Sequence, residues 1–123
     1  MLTEADIGRI ANRIVTGYAP LVVGTFGSYA IDAAKPHSDL DLFVIKDTAE
    51  APPMRRKAIT RLLFGVLHPI DAHVFTPQEF EDTVDEELSF TWVIARQARI
   101  YHWGHGAERA TPSLQARAPR RTG

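Results

Sequence analysis

The sequence predicts a small mixed α/β domain, on three observations. Apolar residues recur at helical spacing in four stretches, and short runs rich in β-branched residues separate them. The resulting order is helix, strand, strand, helix, strand, helices, strand. At 123 residues the chain fits one compact domain, with two not expected.

The first helix is "TEADIGRIANRIVTGY", where Ile7, Ile10, Ala11, Ile14, Val15 and Tyr18 share a face. Thr3 is its N-cap, and Gly17 and Pro20 are read as its stop. "LVVGTFG" (21–27) is a buried strand, and "DLDLFVIK" (39–46) is the second. Pro52 and Pro53 start a helix whose face carries Ile59, Leu62, Leu63 and Val66. "IDAHVF" (70–75) is the third strand. Thr76, Pro77 and Glu79 then form a capping box for a helix with Phe80, Val84 and Leu88 on one face. A further helical piece spans 89–98, and "RIYHW" is read as a short last strand. From Gly104 the chain is rich in Gly, Pro, Ala and Arg, so residues 104–123 are expected to be a mostly disordered basic tail.

The bulk composition excludes several classes of function. The apolar fraction is 45% and the charged fraction 24%, as in soluble globular proteins. A net charge of −1 argues for neither nucleic-acid nor membrane binding. There is no cysteine, hence no disulfide or thiolate zinc site. The start "MLTEADIGR" lacks the cationic and apolar stretches of a signal peptide, and the expected location is the cytoplasm.

The chemistry is concentrated in "GTFGSYAIDAAKPHSDLDLFVIK" (24–46). On a strand, residues i and i+2 project from one face, so Asp39 and Asp41 stand together while Leu40, Leu42 and Val44 face a core. Two carboxylates this close need a cation between them, and oxygen ligands suit magnesium. Asp71 opens the next strand, also among apolar residues, and joins the pair if the strands are neighbours. Three acids suffice for two Mg2+ ions, the arrangement that serves phosphoryl transfer. Gly27 has no Cβ to hold a ligand off the backbone. Ser28 starts an expected short helix, "SYAIDAA", whose free N–H groups favour phosphate. A nucleoside triphosphate site is the reading.

At these residues the chain resembles the minimal nucleotidyltransferases of the DNA polymerase beta superfamily. Their pattern is Gly-Ser, then Asp-x-Asp in a strand, then a third acid in a later strand. The ten residues between "GS" (27–28) and "DLD" (39–41) are similar to the bacterial antitoxin branch, whose partner is a HEPN-domain ribonuclease toxin. The resemblance covers about residues 5–103, and residues 1–103 are taken as the domain. It implies a mixed, mostly antiparallel sheet flanked by helices. It also implies Asp39 and Asp41 as metal ligands, Asp71 as ligand or general base, and Gly27 and Ser28 as the triphosphate cradle. The activity implied is transfer of AMP from ATP to a tyrosine of the toxin, in a hetero-oligomer with it. Two alternatives are an aminoglycoside-type adenylyltransferase subunit and an antitoxin that acts by binding alone.

The chain departs from the family after Gly-Ser, where "YAID" replaces a commoner basic residue and glycine. Lys35, or Arg55, Arg56 and Lys57, are the expected sources of replacement charge. Among the other residues, His37 is read as a solvated loop residue and His73 as a partly buried histidine with a backbone partner, although it shares a face with Asp71. Trp92, Tyr101 and Trp103 are read as core or interface aromatics. "EFEDTVDEE" is read as an acidic helix face that could also dock a basic partner.

Overall fold

The structure, a computed structural model, describes residues 1–119. Helix α1 (Glu4–Tyr18) leads into strand β1 (Val22–Phe26) and a 3-10 turn at Gly27–Tyr29. Strand β2 (Leu40–Ile45), helix α2 (Pro52–Leu62) and strand β3 (Ile70–Phe75) follow. Then come α3 (Pro77–Thr83), α4 (Phe90–Gln97), β4 (Arg99–Trp103) and the short α5 (Ala107–Ala110). The sheet order is β3-β2-β1-β4. β1 runs antiparallel to both β2 and β4, and β2 runs parallel to β3. This is the mixed, mostly antiparallel sheet expected. No helix among the described residues is long and apolar enough to cross a membrane.

Both faces of the sheet are covered, and the strand period divides the side chains between them. Val23, Leu40, Leu42 and Val44 meet Ile7, Ile10 and Ile14 of α1 and Ile59 of α2. On the other face Val22, Phe26, Phe43 and Ile45 meet Phe80, Val84 and Ile94. All of β1 is buried, and in β2 every residue is buried except Asp41. A carboxylate is thus held at the one central-strand position that stays open.

Local chemistry explains the element ends. Thr3 and Thr76 are both capping-box residues: each hydroxyl accepts from the backbone N–H three residues on, and Asp6 and Glu79 accept from the two threonine N–H groups. Gly17 does not stop α1, which continues to Tyr18 and ends at Ala19 in the left-handed region. It is a packing position, since an added Cβ would overlap the Leu62 side chain of α2. Helix α3 ends at Thr83, earlier than the apolar spacing suggests. Leu88 therefore leaves the face of Phe80 and Val84, adopts φ 69°, and is 78% exposed.

The segment after Gly104 differs most from expectation. Instead of a disordered tail, residues 104–119 carry α5 and a second 3-10 turn, Pro112–Arg117. Ala107 and Leu114 are fully buried in the α3/α4 core, and Thr111 is buried beside them. Gly104 N–H donates to Leu21 O, and the Ser113 hydroxyl donates to Glu81. Mean composition hid this because one leucine and small side chains, rather than a run of large apolar ones, fill the space. Arg120 and Arg121 lie outside the described residues, while Arg117 Nε donates to Ala95 O. Leu114→Ala is expected to cost about 2–4 kcal/mol in chemical denaturation. A surface tail would show no change.

Candidate active site

Two strand registers meet at Asp41. Across the antiparallel pair it faces Phe26, and across the parallel pair it faces Asp71. Neighbouring strands are about 4.8 Å apart, so the two carboxylates are next to each other. Asp39 stands one residue before β2 and is exposed, as is Asp71. Burial, then Asp71, push the Asp41 carboxyl above the usual carboxylate range; Asp39 adds to this and His73 partly offsets it. Asp71 and Asp39 thus both bear on the Asp41 carboxyl, and the three predicted acids lie at one corner.

This corner fits a hard divalent cation. Its donors are all carboxylate oxygens, and the half-buried one is destabilised by its neighbours in a way that a cation relieves. Among the described residues no three acidic or histidine side chains close into a ready-made metal cage. The acids form an open corner.

Gly27 lies against this corner. It sits at φ 71°, and an added Cβ would overlap Asp41 Oδ2. The expected helix over "SYAIDAA" is only a 3-10 turn, with Ala30 and Ile31 N–H both directed to Gly27 O. One turn carries little dipole, so any hold on phosphate comes from the close backbone and the partly exposed Ser28. Gln97, which the sequence did not single out, fixes the turn: Gly27 N–H donates to its Oε1 at 3.0 Å. No local signal couples positions 70 apart; the contact exists because α4 packs on the turn.

The "YAID" departure has a structural answer. Asp32 takes the left-handed conformation, φ 58°, which aspartate tolerates better than most residues. Its carboxylate accepts from Arg99 Nη2 at 3.2 Å, and Arg99 also pairs with Glu4. Arg99 of β4 thus ties the 27–32 turn to Glu4 of α1, a contact the sequence did not reveal, and like Arg55 it is already paired with carboxylates. Arg55 is not a free cation. It is buried, and donates to Glu79 at 2.7 Å and to Glu50 O at 2.8 Å. Arg56 is exposed and lines the two cavities flanking β3, one bounded by Asp71 and the other by His73.

His73 has a side-chain partner rather than a backbone one. Its Nε2 lies 3.1 Å from Asp71 Oδ2. The ring packs edge-on to Phe26, with centroids 5.6 Å apart, and tilts against Phe90 at 4.4 Å. His37 is exposed, as expected.

Comparison with known proteins is decisive for the family. The sequence model of the nucleotidyltransferase domain matches residues 7–99. The chain belongs to the nucleotidyltransferase domain family. Nucleotidyltransferases of this family generally use a nucleoside triphosphate and a divalent metal, which agrees with the acid corner beside Gly27. Three solved structures share the fold. A toxin–antitoxin crystal structure with AMP-PNP has a TM-score of 0.59 at 13% identity, covering 89% of this chain and 84% of that one. A mutant of the toxin–antitoxin MntA–HpeT gives 0.58 at 13% identity, covering 94% and 85%. A second MntA–HpeT mutant gives 0.55 at 15% identity, covering 90% and 84%. No curated protein matched.

For a nucleotidyltransferase with this turn, Gln97→Ala is expected to raise KM for the nucleoside triphosphate up to about tenfold, the loss of one hydrogen bond. Steady-state kinetics check it, with kcat falling less than KM rises.

Proposed function

We propose that this nucleotidyltransferase is an antitoxin that transfers AMP from ATP to a tyrosine of a HEPN-type ribonuclease toxin. One observation carries the chemistry: Asp41 is in register with Asp71 and touches the Cβ-less side of Gly27. Triphosphate held at Gly27 and Ser28 places its α-phosphate against the acids. Asp39 and Asp41 would hold magnesium. The metal supplies charge neutralisation for the triphosphate and its leaving group when bound.

Asp71 receives the proton of the attacking hydroxyl or completes the ligand set. The tyrosine oxygen bonds to the α-phosphorus, the bond to the bridging oxygen of the β-phosphate breaks, and pyrophosphate leaves. The partner assignment is supported by the Gly-Ser to Asp-x-Asp spacing and by the fold likeness to proteins solved as toxin–antitoxin complexes, one with AMP-PNP.

The test is co-expression with the protein encoded beside it, followed by intact mass of that partner. Gain of AMP units that is lost with Asp39→Asn and Asp41→Asn supports transfer. Neutralisation of an unmodified partner by both variants means that binding alone suffices.

A further inference from the structure

The loop between α3 and α4 leads into Phe90, which packs on His73 next to Asp71, and its chemistry is one-sided. From Val74 to Ala95 the chain has six acidic residues and no lysine or arginine. Glu79 is paired with Arg55, Glu81 with Ser113, and Asp82 with Gln78. Asp85, Glu86 and Glu87 are exposed, and none forms an ion pair among the described residues. Leu88 and Phe90 stand beside them, 78% and 56% exposed. The rim is continuous with the site: Phe90 contacts the His73 ring at 4.4 Å, and His73 reaches Asp71 at 3.1 Å.

A triphosphate is repelled by such a rim, which leaves the nucleotide to the Gly27 side and the rim to the acceptor. We infer that the 85–90 rim docks the acceptor as a protein segment carrying an apolar side chain and lysine or arginine next to its acceptor tyrosine. This deepens the reading above and rests on it. Charge complementarity selects the basic residues, because three unpaired carboxylates gain from cations brought against them. Leu88 and Phe90 select a peptide over a polyhydroxylated polycation, which would satisfy the acids and leave both apolar side chains wet.

The test uses three synthetic tyrosine peptides, flanked by Leu and Arg, by Leu and Glu, or by Gly and Arg, with an aminoglycoside as fourth probe. Binding is read by fluorescence competition without ATP, and transfer is read with α-labelled ATP and Mg2+. The Leu/Arg peptide is expected to bind about tenfold or more tighter than the other peptides. The combined Asp85→Lys, Glu86→Lys and Glu87→Lys variant should reverse the charge preference. Leu88→Ser should erase the advantage of Leu over Gly without changing that of Arg over Glu.

All these positions are exposed, so the variants are expected to fold, and circular dichroism checks it. Equal binding of the three peptides, or preferences unmoved by the charge reversal, overturns the inference. So does an aminoglycoside that binds tighter than every peptide and loses this on charge reversal. Selective peptide binding without any transfer leaves the rim standing and removes the proposed function instead.

Discussion

Asp39→Asn combined with Asp41→Asn is expected to lower nucleotidyl transfer by about 10^3-fold or more, because it removes the carboxylates proposed to hold the metal. The same change should leave the metal-free protein more heat-stable than the original near neutral pH. The sign follows from Asp41. Burial and the neighbouring acids raise its pKa in the folded state, so the folded form binds its proton more readily than the unfolded one. Stability from this group is full at low pH and is lost as pH rises through the elevated pKa. An asparagine carries no such loss, so the melting curves of the two proteins should separate as pH rises and converge in acid. Mg2+ with ATP should raise the melting temperature of the original protein and leave that of the variant unmoved. Loss of activity with a fall in stability would instead make these aspartates structural.

Gly27→Ala is expected to abolish transfer and also to destabilise the fold, which separates it from the aspartate substitutions. An L-residue at φ 71° costs roughly 1–2 kcal/mol. The new Cβ also overlaps Asp41 Oδ2, so Asp41 must move from its place beside Asp71. Ser28→Ala is the control, because Ser28 is partly exposed and its φ is not in the left-handed region. It should weaken ATP binding with little change in melting temperature. An active Gly27→Ala protein would mean that the turn and the acids are not one site.

What the sequence disclosed and what it did not divide along a physical line. Signals carried by neighbours in sequence were legible. The strands around "DLDLF" and "IDAHVF" showed in their periods, and "TPQE" specified a capping box whose two bonds both form. The acid corner was legible as residue types, but its register was not. Only the parallel pairing of β2 with β3 sets Asp41 opposite Asp71.

Contacts between distant segments were invisible. Gln97 on the Gly27 turn and Arg99 on Asp32 join positions 70 and 67 apart, and no local pattern marks them. Gly17 looked like a helix stop because glycine is a poor helix former, yet packing against Leu62 overrides that preference. Residues 104–119 were missed for a related reason: Ala107 and Leu114 are core residues only because α3 and α4 leave room for them.

On the proposed function, the Gly27 turn and the Asp39, Asp41 and Asp71 corner pass the α-phosphoryl group of ATP, with its nucleoside, to a protein acceptor. Incubation of the protein and its partner with Mg2+ and either α-labelled or γ-labelled ATP tests it most directly. Label is expected on the partner from α-labelled ATP only, with pyrophosphate released in step with it, and neither with Asp39→Asn and Asp41→Asn. Label from γ-labelled ATP, or α-label that persists in that variant, would contradict it.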